Sequence, residues 1–410
     1  MARLASAALV VLLGFHVYEL THDPLALGWL GLAQALPAIA LVLYGGVIAD
    51  RHSRRSVVML GRSAFVVVAA LLALVMAVGG RLPPSTLVWS LYAAGFLIGV
   101  AGAFTQPAVA GLEAEVIPTA GVLRSVSILG STSQAGALLG PVLGSLLFGF
   151  AGPAAFYAAT AVLLALSVAI VRIWVDDRPA PPRSAGDGAA ARIVEGVRYV
   201  FRDQLLVGSM ALDLFAVFFG GVAALLPVFA TDILHVGPEG FGFMRAAISV
   251  GSLLAMLVAV RHPPRVRAGS ALLLSVAGFG VGVIVFAFSR STALSLLALG
   301  FMGACDGVSM VVRAAILRLA APGQLRGRIT AVRSVFLNSS NELGDFESGM
   351  LAGAVGPVAA VWLGGLVTLA VVAVTAWRAP ILRRLDLAAL ELSLSRSCTA
   401  AGAGSAEPGP

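Results

Sequence analysis

The chain has 410 residues, 59% of them hydrophobic and only 11% charged, with a mean hydropathy of +0.98. That load excludes a soluble domain. The net charge of +7 rests on 27 basic residues, all arginine, and their placement along the chain reports topology rather than a nucleic-acid surface.

Apolar runs long enough to cross a hydrocarbon core of ~30 Å are predicted at 3–20, 26–49, 56–79, 85–109, 125–148, 154–173, 207–231, 240–260, 269–288, 293–316, 329–352 and 356–377. Span 1 starts at Met1 with no small-residue cleavage site and mature domain behind it, so it is expected to be retained. Residues 1–173 make an N-terminal six-helix half, and 174–206 a cytoplasmic linker. The linker opens with DDRPAPPRSAGDGAAA and closes with ARIVEGVRYVFRD, where Ile193, Val197, Val200 and Phe201 share one face, as on a helix lying on a membrane surface. Residues 207–377 make a C-terminal six-helix half, and 378–410 a cytoplasmic tail that is largely disordered by composition.

With the N-terminus inside, 22 of the 27 arginines fall on the cytoplasmic side and only Arg81 and Arg290 outside; Arg245, Arg313 and Arg333 lie within spans. The positive-inside rule then puts both termini in the cytoplasm. The halves repeat. A shift of 204 residues carries Arg124 to Arg328, Leu139-Gly140 to Leu343-Gly344, and Gly152-Pro153 to Gly356-Pro357, while a shift of 210 carries Arg51-His52 to Arg261-His262. Two parallel six-span repeats predict an all-α polytopic membrane protein of major-facilitator architecture, twelve transmembrane helices in two pseudo-symmetric halves with the substrate site between them.

After span 2 the chain reads GGVIADRHSRR, and Gly46, Asp50, Arg51, Arg54 and Arg55 stand as in the signature loop of the major facilitator superfamily, which this segment resembles; Ser53 replaces the usual glycine. The resemblance implies a cytoplasmic gate. Gly46 is expected to let the helix end pack closely, Asp50 to face the positive end of a neighbouring helix, and the arginines to pair with acids across the gate. In span 5, Gly136, Gly140, Pro141 and Gly144 resemble the glycine-proline motif of drug:proton antiporters, with Ser145 for its last glycine; small residues at this spacing also serve plain helix packing. The arginine that the family carries in span 4 has no counterpart between Leu87 and Leu112. VYELTHDPLALGWLGLAQALP, FMGACDGVSMVVRAAILRLA and LRGRITAVRSVFLNSSNELGDFESG resemble the branch that includes bacterial enterobactin exporters. Membership there implies export of a siderophore or hydrophobic compound across the cytoplasmic membrane, driven by proton entry.

Span 11 holds SVFLNSSNELGDFESGML. An acid at the centre of a span costs ~2.5 to 3.5 kcal/mol on insertion scales, so these carboxylates cannot all face lipid. At about 100° per residue, Asn338, Glu342, Asp345 and Gly349 fall within a ~60° arc with Asn341 at its edge, and this polar stripe faces the bundle interior. Glu342 and Asp345, one turn apart, repel when both are ionised, so either can hold a proton near neutral pH; Asn338 and Asn341 offer hydrogen bonds without a charge change. Glu347 points the other way, toward the outer end, where it is expected to serve the rim or to pair with Arg245, whose alternative is to attract an anionic catecholate. Asp213 in span 7 and Asp306 in span 10 are further proton-coupling candidates. Arg245 and Arg313 are cavity candidates, and a structural Asp213–Arg313 ion pair is the alternative for those two.

No HExxH, GxSxG or GxxxxGK occurs, and the two cysteines, Cys305 in a span and Cys398 in the tail, with five histidines make no metal or disulfide cluster. No enzyme, metal or cofactor is expected; an ion gradient supplies the energy. The expected partners are a small-molecule substrate and the lipid bilayer, with no nucleic acid, and the chain is expected to act as a monomer. Proton-coupled efflux is the first reading. Multidrug efflux, uncoupled or import transport, and a non-transporting sensor are the alternatives.

Overall fold

The computed structural model describes residues 1–116, 122–177, 198–199, 201, 204–262, 267–320, 326–383 and 385, without the side chains at 42, 43, 49, 50, 114–116, 122–128, 217, 260, 318–320, 326–339 and 342. The described residues form helices and no strand: α1 (Ala2–Thr21), α2 (Pro24–Arg51), α3 (Arg54–Ala77), α4 (Pro84–Val116), α5 (Val122–Trp174), α6 (Gln204–Phe219), α7 (Val222–Val228) running into a π-helical turn (Phe229–Ile233), α8 (Gly237–Arg261), α9 (Ala268–Phe288), α10 (Thr292–Ala320), α11 (Arg326–Val355), α12 (Pro357–Arg378) and the short α13 (Pro380–Arg383). Among them, nine are long and apolar enough to cross a membrane. One of the nine, Leu129–Trp174, contains spans 5 and 6. Spans 7 and 11 complete the set: span 7 is divided into shorter helices, and span 11 carries the polar stripe. The amphipathic helix expected near 193–203 lies largely outside the described residues.

Local signals explain the corners. Asp23 caps α2 by accepting from the Leu25 N–H at 2.9 Å, and Pro24 opens that helix, where its missing N–H costs nothing. Ser53 caps α3, accepting from the Ser56 N–H at 3.4 Å, and its hydroxyl also donates to Asp177. The residue that departs from the signature pattern thus starts the next helix. Spans 5 and 6 turn at Gly152, with φ 81° and ψ 170°, and α12 is entered through Gly356, with φ 88° and ψ 153°. Both angles lie in a region open essentially to glycine alone, and each glycine is followed by a proline that begins the next helix. The sequence repeat of 204 residues is therefore a repeat of backbone conformation as well.

Span 7 differs from the continuous helix expected at 207–231. It stops at Phe219, passes Gly220 and Gly221, and restarts at Val222. Gly221 lies against Ser348 and Gly344 of α11, and a Cβ on Gly220 would meet the Phe279 ring of α9 at 2.8 Å. Side chains at these two positions would push α9 and α11 away, and two glycines in a row make a poor helix.

Packing is uneven along the bundle. At the end away from the 51–55 loop, one buried cluster takes residues from both halves, including Leu12, Phe15 and Tyr157 on one side and Phe229, Phe241 and Phe286 on the other. The Phe15 and Phe241 rings stack at 5.0 Å. At the end that carries the loop, the buried clusters are separate, one around Leu212, Leu272 and Ile316 and the other around Val57, Val58 and Ala108. Among the described residues, the halves share a core at the arginine-poor end, and the clusters at the arginine-rich end each draw on one half. Trp29, Trp89, Trp174 and Trp377 are each at least 50% exposed and stand toward the ends of their spans, as an interfacial aromatic belt does.

Gly152→Ala and Gly356→Ala should each destabilise the purified protein by about 1–3 kcal/mol, because alanine must hold a glycine-only conformation. Thermal unfolding in detergent checks this. Gly46→Ala, in a helix with nothing within 4 Å of the added Cβ, should leave the transition unchanged or raise it slightly.

Candidate functional site

A cavity of about 280 Å³ opens within the C-terminal half, between α6, α7, α8, α9, α10 and α11. The break in span 7 forms one wall through Gly220, Gly221 and Ala223, and α10 supplies Met302, Cys305, Asp306, Ser309 and Arg313. Asp345 and Asn341 line it from α11, so the stripe inferred from helical spacing does face the interior. Gly349, one turn beyond Asp345, packs on α2 of the other half. Asn338 and Glu342 belong to the same helix, but their side chains lie outside the described residues.

Charge in the cavity is ordered. Asp213 and Arg313, a proton-coupling candidate and a cavity cation by sequence, are joined in a buried ion pair whose side chains are 5% and 6% exposed. The alternative of a structural ion pair is the one that the geometry matches. The same guanidinium reaches Asp306, where Nη2 to Oδ1 is 3.5 Å, but the Asp306 side chain remains 41% exposed. Arg313 also donates from Nε to the Ser309 carbonyl at 3.3 Å, which fixes its direction along α10. The Ser309 hydroxyl is buried and has no hydrogen-bond partner among the described residues.

Arg245 corrects one expectation. It does not join Glu347: its Nη2 donates to the Ala223 carbonyl at 3.1 Å, its guanidinium carbon lies 5.9 Å from the Phe241 ring centroid, and the acid within its electrostatic reach is Asp345. Glu347 instead accepts from the Ser348 hydroxyl at 3.5 Å. The reason lies in the helix that follows the break: Pro227, four residues after Ala223, has no N–H to give the Ala223 carbonyl, which accepts from Arg245 instead.

The loop after span 2 is arranged differently from the sequence expectation. The close approach belongs to Gly45, which lies against the Ala103 backbone of α4, whereas a Cβ on Gly46 would meet nothing within 4 Å. Arg54 Nη1 donates to the Gly111 carbonyl at 3.0 Å, and Arg55 Nη2 to the Arg172 carbonyl at 2.7 Å with Nη1 3.9 Å from Asp177. Gly111, Arg172 and Asp177 belong to the N-terminal half or the chain just after it. Arg51 is exposed, and the Asp50 side chain lies outside the described residues.

In span 5 the motif glycines face α1. A Cβ on Gly136 would stand 3.1 Å from the Leu4 nitrogen, one on Gly140 3.2 Å from the Ala8 nitrogen, and one on Gly144 3.0 Å from the Ala8 side chain. Pro141 lies within the helix between them. Packing within one half accounts for all three glycines.

Contacts across the halves gather at the arginine-poor end. A Cβ on Gly28 of α2 would stand 3.0 Å from the Phe346 carbonyl oxygen and 3.3 Å from the Gly349 Cα, Gly242 of α8 faces Ser145 of α5, and Gly149 faces Pro238 and Glu239. Tyr18 donates a hydrogen bond to Asp232 over the same seam. Sequence reasoning did not single out this hydrogen bond, the buried His16–Tyr157 contact at 3.0 Å, or the break at Gly220-Gly221. Only the break had a local signal, the paired glycines inside an apolar run; the others join residues more than 100 positions apart.

Comparison with known proteins agrees with this architecture. The chain is 24% identical to enterobactin exporter EntS of Escherichia coli O1:K1 / APEC over 379 residues, 89% of this chain and 87% of that protein. It is 27% identical to multidrug efflux pump Tap of Mycolicibacterium fortuitum over 394 residues, 92% of this chain and 93% of that one. Among solved structures, a mutant of nucleoside transporter NupG superposes with a TM-score of 0.73 at 14% identity, covering 91% of this chain and 96% of that one. A bacterial homolog to human lysosomal transporter Spinster superposes with a TM-score of 0.67 at 13% identity, covering 93% and 94%. A profile of the Major Facilitator Superfamily matches residues 1–266, well over half of the chain. With the paired six-span repeat, the inter-half seam and the membrane-embedded cavity, that match makes the chain a member of the Major Facilitator Superfamily, a transporter and not an enzyme.

Proposed function

We propose that the protein is a secondary active exporter that exchanges protons for a siderophore or hydrophobic small molecule by alternating access, with its arginine-rich end in the cytoplasm of a bacterial cell and its spans in the inner membrane. One observation carries the reading: a single cavity inside the C-terminal six-span half is lined by the carboxylates of both Asp306 and Asp345. Acids are retained inside a membrane bundle when their charge has work to do. Likeness to an enterobactin exporter and to a multidrug efflux pump supports the outward direction, and the chain holds no phosphate-binding GxxxxGK that would let ATP drive it.

The cycle follows from the contacts. Cargo enters from the cytoplasm, the halves rock together at that end, and the seam at Gly28, Gly349, Ser145 and Gly242 parts at the other. Protons from outside then reach Asp345, Glu342 or Asp306 and favour release of the cargo. Return with the proton bound resets the cavity. The 51–55 loop, whose arginines now hold their own half, closes the cytoplasmic side when the halves meet.

Liposomes with an imposed pH gradient and an interior pH dye test the exchange. Addition of catecholate siderophores or lipophilic cationic drugs should start proton flux, and Asp345→Asn should return it to the level of protein-free liposomes. Flux unchanged in Asp345→Asn would remove that residue from the coupling step, and no flux with either cargo class would favour a sensor.

Cys305 offers a test of sidedness, since it lines the cavity and is only half-buried. In Cys398→Ser protein, a membrane-impermeant maleimide should label Cys305 from the cytoplasmic side. Gly349→Leu places a side chain where even a Cβ would meet the Gly28 Cα at 2.5 Å, so the seam cannot close. A bias of about 1.4 kcal/mol toward the outward-open state would cut that labelling roughly tenfold.

A further inference from the structure

Three charged groups stand in a row along the cavity wall, and they are not equivalent. Asp213 and Arg313 are buried against each other, 5% and 6% exposed, while Asp306 is 41% exposed and meets Arg313 only at 3.5 Å. A contact of that length is at the weak limit of a hydrogen bond. Arg313 is held from behind, by Asp213 and by the Ser309 carbonyl, so Asp306 is the member of the row that presents a carboxylate to the open space. Beside it the Ser309 hydroxyl, 2% exposed, has no partner among the described residues.

The charge balance points the same way. Among the described residues in and beside the cavity, the acids Asp213, Asp306 and Asp345 outnumber the cations Arg313 and Arg245 by one. Glu342, whose side chain lies outside the described residues, brings no positive charge. The remaining polar groups that face the space, Ser275 from α9 and Asn341 from α11, are uncharged. An anionic cargo would raise the surplus, and a monovalent cation would cancel it. Phe279 and Met302 supply the apolar surface for the rest of such a molecule.

We propose that Asp306 is the carboxylate that the cargo itself engages, through a cationic nitrogen, and that Asp213 is a positioning residue which keeps Arg313 neutralised when Asp306 turns to the cargo. The assignment rests on the export reading and narrows its substrate class to a lipophilic cation. A proton on Asp306 removes the same charge that the cargo needs, so proton and cargo exclude each other at this one group. Without Asp213, the Arg313 guanidinium would draw on Asp306, and the cargo would have to compete with it.

Ethidium, a lipophilic cation whose fluorescence reports binding, is the probe, titrated into the purified full-length protein in detergent. Asp306→Asn should weaken binding about tenfold or more, the worth of one charge-assisted contact. It should also abolish the loss of binding that the wild type shows as pH falls. Asp213→Asn should weaken binding as well, and Asp213→Asn with Arg313→Gln, which removes the pair together, should recover affinity to within about threefold of wild type. The proposal is overturned if Asp306→Asn binds ethidium as the wild type does, or if the double variant stays as weak as Asp213→Asn. Catecholate-driven proton flux in liposomes without ethidium binding would also overturn it while leaving export intact. Ethidium binding lost in Asp306→Asn, together with no flux for any cargo, would support the site and count against export.

Discussion

Everything in this bundle hangs on close approach at one end. Gly28 and Gly349 bring α2 and α11 backbone to backbone, and Gly242 lets α8 close on the Ser145 side chain of α5. Dispersion and small-residue packing hold helices together in a membrane, where hydrophobic burial offers little, so the seam is where the halves can attract each other most. Positions 204 residues apart, Ser145 and Gly349, and again Gly149 and Gly353, face the opposite half. The repeat is thus used twice to build one seam. Among the described residues, the clusters at the arginine-rich end each stay within one half.

The cavity's polarity depends on a second constraint, the cost of unpaired charge in an apolar bundle. Arg313 is tolerated because Asp213 meets it in a buried pair, and Arg245 because Pro227 leaves the Ala223 carbonyl without a helical donor. Neither arginine is spare. Asp306 and Asp345 are the acids left facing space, and their position at mid-span, between a fixed cation on each side, lets one group change its charge without stranding another.

How much of this was legible in the chain follows from the range of each interaction. Hydropathy and helical period depend on neighbours along the sequence, so the spans, the interior stripe through Asp345 and Gly349, and the Gly-Pro corners at 152 and 356 could be read directly. Asp213 and Arg313 are separated by one hundred positions, and only the crossing of α6 and α10 joins them; the sequence offered the pair as one alternative among several. Arg245 was offered to Glu347 or to an anionic cargo from its place near the outer end of its span, and a carbonyl on another helix, left without a donor by Pro227, is not something that periodicity reports. The signature loop was read by resemblance, which carries a residue's usual role but not the conformation in which it is seen; Arg54 and Arg55 accordingly turn up on Gly111 and Arg172.

The stacked rings of Phe15 and Phe241 lie in the core that the halves share, beside the Tyr18–Asp232 hydrogen bond. A stacked aromatic pair is worth about 0.5–1.5 kcal/mol beyond its burial, and each turn of an alternating-access cycle has to pull this pair apart and remake it. In the proposed cycle, part of the barrier to turnover then belongs to side chains outside the cavity lining. Substitutions there would change how fast the carrier works without changing what it carries, so speed and selectivity are set by different parts of the molecule and can drift independently during evolution.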